Sequence, residues 1–223
     1  MIQNNVKFFF YRSNGKNIMK SVIVLCGGLS TRMGQDKGSM DYDGKPMIVH
    51  VLESLKHVAD ELLLVLRNEA QYQIYKDLLS NHGITENSKF KLLIDTVKDK
   101  GPLGGIYTGI KAVHSGQAMV VPCDSPFIST KLVSKLFEMS EKYTEFDSFV
   151  PIWSDGNIEP LHSIYPAYSH GIIEDLLRKD QKSIKDLIKK LNVKYVDIEE
   201  FNLPKKSFIN LNSPQEILKL NPD

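Results

Sequence analysis

At 223 residues, 42% of them apolar and 25% charged, the chain has the ordinary composition of a soluble globular protein of one large or two small domains. Twenty-eight Lys and Arg against 27 Asp and Glu leave a net charge of +1, which argues against a broad nucleic-acid or anionic-membrane surface but not against a local anion pocket. No apolar run approaches the length of a membrane span, and the two cysteines provide neither a disulfide framework nor a metal-ligand spacing. We therefore expect a cytosolic protein with reduced, buried thiols.

Strands and helices are predicted to alternate, and the strands are continuous apolar runs. That pattern is typical of parallel strands covered by helices on both faces. The predicted strands are 21–26, 61–66, 90–94, 118–123, 147–153, 159–166 and 193–198. The predicted helices lie within 44–58, 69–81, 101–114, 130–143, 183–191 and 213–220.

Helix-start signals support these assignments. Pro46 suits a first helical position, Ser129 suits an N-cap, and Ser213 with Pro214 and Glu216 forms a capping box. We predict an α/β fold, a single doubly wound domain with a mostly parallel, Rossmann-like sheet. It covers residues 20–223, behind an N-terminal extension, 1–19, of unknown structure. In such a fold, ligands bind outside the carboxyl ends of the strands.

The loop after the first strand, "CGGLSTRMGQDKG", has the composition of an anion cradle. Gly27 and Gly28 allow backbone N–H groups to approach a phosphate closely, and Arg32 and Lys37 supply positive charge. The loop matches neither of the two common phosphate-binding motifs. A tight turn with solvated basic residues is the alternative.

Two further loops are predicted to face the same crevice. The fourth strand ends in "VPCDSP", where Asp124 either holds a hard cation such as Mg²⁺ beside substrate phosphates or is only a turn residue before a proline. The loop after the third strand, "DTVKDKGPLGG", combines Asp95 with glycines from Gly101 onward, which suggest close backbone approach. We expect its lysines, Lys98 and Lys100, to be solvated.

The stretches "LCGGLSTRMGQDK", "DTVKDKGPLGGI", "VPCDSPFI" and "FINLNSPQE", in this order and spacing, resemble the molybdenum cofactor guanylyltransferases of the MobA type. The resemblance runs from about residue 20 to 220. It implies the nucleotidyltransferase variant of the Rossmann-like fold. It also implies transfer of GMP from GTP to the molybdopterin-bound molybdenum cofactor, with Mg²⁺ and with release of pyrophosphate.

The resemblance also assigns residues. It implies nucleotide contacts from Leu25, Cys26, Gly27, Gly28, Lys37, Asn68 (or its neighbour Arg67), Asp95, Gly101 and Asp124. It implies catalytic roles for Arg32, Lys37 and Asp124, with Asp124 as the Mg²⁺ ligand. Acceptor contacts are implied from Asn210 and Asn212. Gly104 stands where the family usually has alanine, which we expect to add only flexibility.

Other functions remain open at this stage. The first glycine motif favours GTP over CTP by analogy, but a cytidylyl- or sugar-phosphate nucleotidylyltransferase would share the first loop and Asp124. A non-catalytic nucleotide-binding protein would be expected to lack one of the cations or the carboxylate. GTP and the molybdenum cofactor are the expected substrates. Contacts with cofactor-maturation proteins or molybdoenzymes are also conceivable, and no nucleic acid or membrane partner is expected.

Overall fold

The computed structural model describes residues 18–27, 36–211 and 216, and the structural statements below concern that part of the chain. Its strands are β1 (Ser21–Leu25), β2 (Asp41–Tyr42), β3 (Lys45–Pro46), β4 (Glu61–Leu66), β5 (Phe90–Ile94), β6 (Gln117–Pro122), β7 (Ser148–Ile152), β8 (Ile164–Pro166) and β9 (Val193–Asp197). Its α-helices are α1 (Met47–Leu55), α2 (Glu69–Asn81), α3 (Gly101–Ala112), α4 (Thr130–Lys142), α5 (Ser169–Arg178) and α6 (Ile184–Ile188).

Seven strands form one sheet in the order β5-β4-β1-β6-β8-β7-β9, and β2 and β3 form a separate small hairpin. The pairs β5–β4, β4–β1, β1–β6 and β7–β9 are parallel, whereas β8 runs antiparallel to both of its neighbours. This architecture confirms the predicted doubly wound, mostly parallel single domain.

Both faces of the sheet are buried. Successive side chains of a strand point to opposite faces, so Val22 and Val24 join one apolar cluster with α1, α2 and α4. Ile23 and Leu25 join the other cluster with α3, α5 and α6. Burial on both faces explains why these strands read as continuous apolar runs.

Several predicted elements differ from the observed ones. Pro46 belongs to β3 and directly precedes α1, because the β2–β3 hairpin, which turns through Asp43 and Gly44 at positive φ, extends to that residue. Of the predicted strand 159–166, residues 160–162 form a short 3₁₀ turn and only Ile164–Pro166 is strand. Helix α5 was not predicted, and its start carries no side-chain cap. The predicted helix 213–220 lies outside the described residues except for Glu216, which is helical.

Within the described residues, no helix is both long and apolar enough to cross a membrane.

A buried carboxylate joins two strands to the α3–β6 connection at the amino ends of the strands. Glu61 has a side chain only 5% exposed and accepts hydrogen bonds from Ser21 Oγ (2.6 Å) and from the backbone N–H of His114 (3.1 Å). His114 Nδ1 also lies 2.5 Å from Glu61 Oε1. Burial by itself raises the pKa of Glu61, but the hydrogen bonds from Ser21 and His114 outweigh it and lower the pKa below its ordinary value of 4.5.

We expect Glu61 to stabilise the fold above about pH 4.5 and to lose that contribution as the pH falls through the lowered folded-state pKa. Glu61→Gln should lower the free energy of unfolding at pH 7 by about 1–3 kcal/mol, and by less at pH 3. Urea denaturation at both pH values measures this. Glu53→Gln, which removes an exposed ion pair with Lys45, should cost less than about 1 kcal/mol, and equal losses in the two variants would contradict the assignment.

Candidate active site

A cavity of about 330 Å³ opens where β1 and β6 end. Because these strands are parallel and Leu25 pairs with Pro122, the loops that follow them start side by side. Eight predicted site residues line the cavity: Leu25, Cys26, Gly27, Lys37, Asp95, Gly101, Asp124 and Asn210. The cavity therefore joins the three predicted loops with the strap at 209–211.

Two of the lining residues form an ion pair. Lys37 Nζ lies 3.1 Å from Asp124 Oδ2, and the two side chains are 32% and 11% exposed. Lys37 begins a short 3₁₀ turn that Asp36 caps by accepting a hydrogen bond from the Gly38 N–H (3.1 Å). The cation and the carboxylate of the sequence prediction are thus in direct contact.

Helix α2 holds this turn through polar side chains that the sequence analysis missed. Gln71 donates hydrogen bonds from Nε2 to the Asp36 carboxylate and to the Cys26 carbonyl (2.9 Å), and it accepts one from the Arg67 N–H (2.6 Å). Tyr75 donates to Asp36 Oδ1 at 2.5 Å. The sequence feature that could have revealed this role is the spacing of Gln71, which lies four residues before Tyr75 and eight before Leu79 on the buried face of an amphipathic helix.

Gly38 is required by this packing. A Cβ atom at this position would overlap the Tyr75 hydroxyl and lie 3.2 Å from Cys123 Sγ. The absence of a side chain lets the turn that carries Lys37 settle against α2 and the end of β6.

Asp95 is fixed at the opposite side of the cavity. Its Oδ1 accepts hydrogen bonds from the Val97 N–H (2.9 Å) and from Thr108 Oγ1 (2.8 Å). Burial raises the pKa of Asp95, and these hydrogen bonds oppose the rise. Gly104 does more than add flexibility, because a Cβ there would lie 2.9 Å from the Val97 carbonyl oxygen.

The two thiols are packing groups beside the cavity. Cys26 and Cys123 are 4% and 7% exposed and are not joined in a disulfide. Burial raises the pKa of Cys26 well above its ordinary value, and the adjacent Cys123 thiol raises it further. The thiol therefore stays protonated near neutral pH, which agrees with the expected inert role.

The other predicted site residues are not among the described residues that line the cavity. Asn68 is the N-cap of α2, where its side chain accepts a hydrogen bond from the Gln71 N–H (2.9 Å), and it is not among the residues lining the cavity. Its nucleotide contact remains a prediction. Gly28, Arg32 and Asn212 lie outside the described residues. Lys100, which was expected to be solvated, forms a 2.8 Å ion pair with Asp180, and its side chain is 28% exposed.

The Asp124 carboxylate that lines the cavity fits Mg²⁺ as a metal ligand. Magnesium is held by one or two carboxylates while substrate phosphates and water complete its coordination. Asp124 supplies such a carboxylate at the edge of the cavity, although the described residues contain no group of three or more metal-ligating side chains. The site thus suits a metal that arrives with a phosphorylated substrate.

The sequence matches the family "MobA-like NTP transferase domain" over residues 22–195. The chain belongs to this family. The match confirms the resemblance found in the sequence and makes the protein a nucleotidyltransferase.

The descriptions of individual related proteins agree with this family assignment. The chain is 32% identical over 200 residues to a probable molybdenum cofactor guanylyltransferase of Methanothermobacter thermautotrophicus, covering 89% of this chain and 98% of that protein. A protein of the same description from Methanosarcina mazei is 28% identical, covering 91% of this chain and 90% of the relative.

Solved structures share the fold. The crystal structure of molybdopterin-guanine dinucleotide biosynthesis protein A from Archaeoglobus fulgidus matches with a TM-score of 0.73 and 25% identity, covering 89% of this chain and 95% of that one. A 4-diphosphocytidyl-2C-methyl-D-erythritol synthase from Anaerococcus prevotii matches with a TM-score of 0.65 at 16% identity, over 91% of this MobA-like chain and 94% of the other, which shows the common fold alone.

Gln71→Ala should lower the free energy of unfolding by about 1–3 kcal/mol, because it removes the side-chain donor to the Cys26 carbonyl and one of the donors to the Asp36 carboxylate, which keeps Tyr75 and the Gly38 N–H. Gln73→Ala is the matched control on the same helix, since Gln73 is exposed and its side chain bonds, among the described residues, to Glu69 one turn away. Its effect should stay within about 0.5 kcal/mol. Urea denaturation compares the two variants, and indistinguishable midpoints would contradict the structural role of Gln71.

Proposed function

We propose that this MobA-like protein transfers GMP from GTP to the molybdopterin-bound molybdenum cofactor in the cytoplasm, with Mg²⁺ and with release of pyrophosphate. The observation that carries the proposal is the Lys37–Asp124 pair at the edge of a cavity built from three loops. The descriptions of the relatives, molybdenum cofactor guanylyltransferases, support the choice of substrates.

The reaction needs positioning and charge stabilisation more than a covalent protein nucleophile. A phosphate oxygen of the acceptor attacks the α-phosphorus of GTP, a new P–O bond forms, and the bond to the pyrophosphate breaks. Both substrates are polyanions, so cations must offset their repulsion and the charge that builds on the leaving group.

The proposal gives each predicted site residue a role in this scheme. Lys37 binds the triphosphate and stabilises the departing pyrophosphate, together with Arg32 of the first loop. Asp124 holds Mg²⁺, which when bound neutralises phosphate charge and orients the reacting groups. Leu25, Cys26, Gly27, Gly28 and Gly101 contact the nucleotide mainly through the backbone, and Asp95 adds a polar contact. Asn210 and Asn212 contact the acceptor.

Lys37→Ala and Asp124→Ala should each reduce turnover at least about a hundredfold in a coupled pyrophosphate-release assay, because each removes a charge that the transition state needs. Both variants should remain folded by circular dichroism. Lys45→Ala, which removes a lysine from a surface ion pair, is the control and should keep wild-type turnover. Near-wild-type rates in either site variant would overturn the assignment.

Base preference is tested by titrating the four ribonucleoside triphosphates, with and without Mg²⁺, into wild type and Asp124→Ala. GTP should bind at least about tenfold more tightly than the others, and only when Mg²⁺ and Asp124 are both present. Preference for CTP would make the protein a cytidylyltransferase with the same fold. Absence of any nucleotide binding would reject the proposed function.

A further inference from the structure

A second polar network lies where Asn210 lines the cavity. Ser125 follows Asp124 directly, His162 ends the 3₁₀ turn 160–162, and Asn210 lines the cavity from the strap at 209–211. Ser125 Oγ donates a hydrogen bond to Asn210 Oδ1 and lies 3.2 Å from His162 Nε2. Ser125 and His162 are both 0% exposed.

The protons that each group carries determine which group donates and which accepts in each hydrogen bond of this network. A serine hydroxyl carries one proton, and Ser125 donates it to Asn210. His162 Nε2 must therefore carry its own proton and donate it to Ser125 Oγ. With Oδ1 of Asn210 accepting the hydrogen bond from Ser125, the donors of this amide are on its –NH₂ group, and Asn210 is one of the residues that line the cavity.

The neighbours of His162 hold its ring in place. Nδ1 makes no hydrogen bond within the described residues, but it lies 3.4 Å from Glu159 Oε2. Glu159 is held in turn by the indole N–H of Trp153 at 2.6 Å. The Phe208 ring packs edge-on against both His162 and Trp153, at centroid distances of 5.5 and 5.6 Å.

The strap at 209–211 also forms a hydrogen bond with the loop that follows β6 and carries Asp124. The Leu211 N–H donates a hydrogen bond to the Asp124 carbonyl at 2.8 Å. Together with the Ser125–Asn210 bond, this fixes the spacing between the Asn210 amide and Asp124. The arrangement Ser125–His162–Glu159 has the residue types of a nucleophilic triad, but a serine with no exposed surface cannot reach a substrate.

We propose that Ser125 and His162 are positioning residues that orient the Asn210 amide as a hydrogen-bond donor to an oxygen of the phosphate-bearing acceptor. The proposal rests on the proposed function for the identity of that acceptor. The orientation of the amide is argued from the Ser125–Asn210 hydrogen bond and does not depend on the identity of the acceptor.

The kinetic test compares Ser125→Ala with Ser169→Ala, a matched control whose buried hydroxyl makes no hydrogen bond within the described residues. Without its hydroxyl partner, Asn210 can rotate, so Ser125→Ala should raise the KM for the molybdopterin acceptor about tenfold while kcat and the Kd for GTP stay within about twofold. Ser169→Ala should leave all three unchanged. An unchanged acceptor KM in Ser125→Ala overturns the proposal, as does an equal loss of kcat and GTP affinity.

A spectroscopic readout separates this proposal from the proposed function. In uniformly ¹⁵N-labelled protein, long-range ¹H–¹⁵N spectra should show a proton on His162 Nε2, and the Asn210 side-chain –NH₂ signals should shift in Ser125→Ala but not in Ser169→Ala. A His162 Nε2 without a proton would reverse the network and overturn the proposal even in an active enzyme. If wild type transfers no nucleotide but the spectra are as expected, the proposed function fails while the orientation of Asn210 stands.

Discussion

The parallel pairing of β1 with β6 is the constraint on which the site depends. With Leu25 opposite Pro122, Cys26 and Gly27 leave the sheet beside Cys123 and Asp124. A slip of one residue in either strand would exchange its two buried faces, and both faces are already filled by apolar clusters. The hydrophobic core thus sets the relative position of the glycine loop and the carboxylate, although neither belongs to the core.

Side chains from neighbouring elements form hydrogen bonds with polar groups of the loops at this edge. On one flank, Gln71 and Tyr75 of α2 bind Asp36 and the Cys26 carbonyl. On the other flank, Ser125 and the Leu211 N–H tie the strap to the end of β6. Bonds of this kind place Lys37 and Asn210 before any substrate arrives, which reduces the ordering that binding must cause.

The sequence predicted most of the sheet because its central strands β1, β4 and β6 are buried on both faces and read as nearly unbroken apolar runs. The bounds of β4, β5 and α2 agree with the prediction. Helix α5 was missed since it lacks a capping side chain. The networks of Gln71 and His162 could not be predicted, because each joins residues 35 and 37 positions apart, respectively, and only the folded chain shows which buried polar groups meet.

The Lys37–Asp124 contact differs from these networks in being partly exposed, at 32% and 11% of the two side chains. In the proposed reaction, a triphosphate with its metal separates the two groups, and each exchanges one charged neighbour for another: Lys37 for phosphate oxygens and Asp124 for the cation. The turn, the strap and the sheet edge are held by several other hydrogen bonds, so substrate binding should open the ion pair and leave these elements in place.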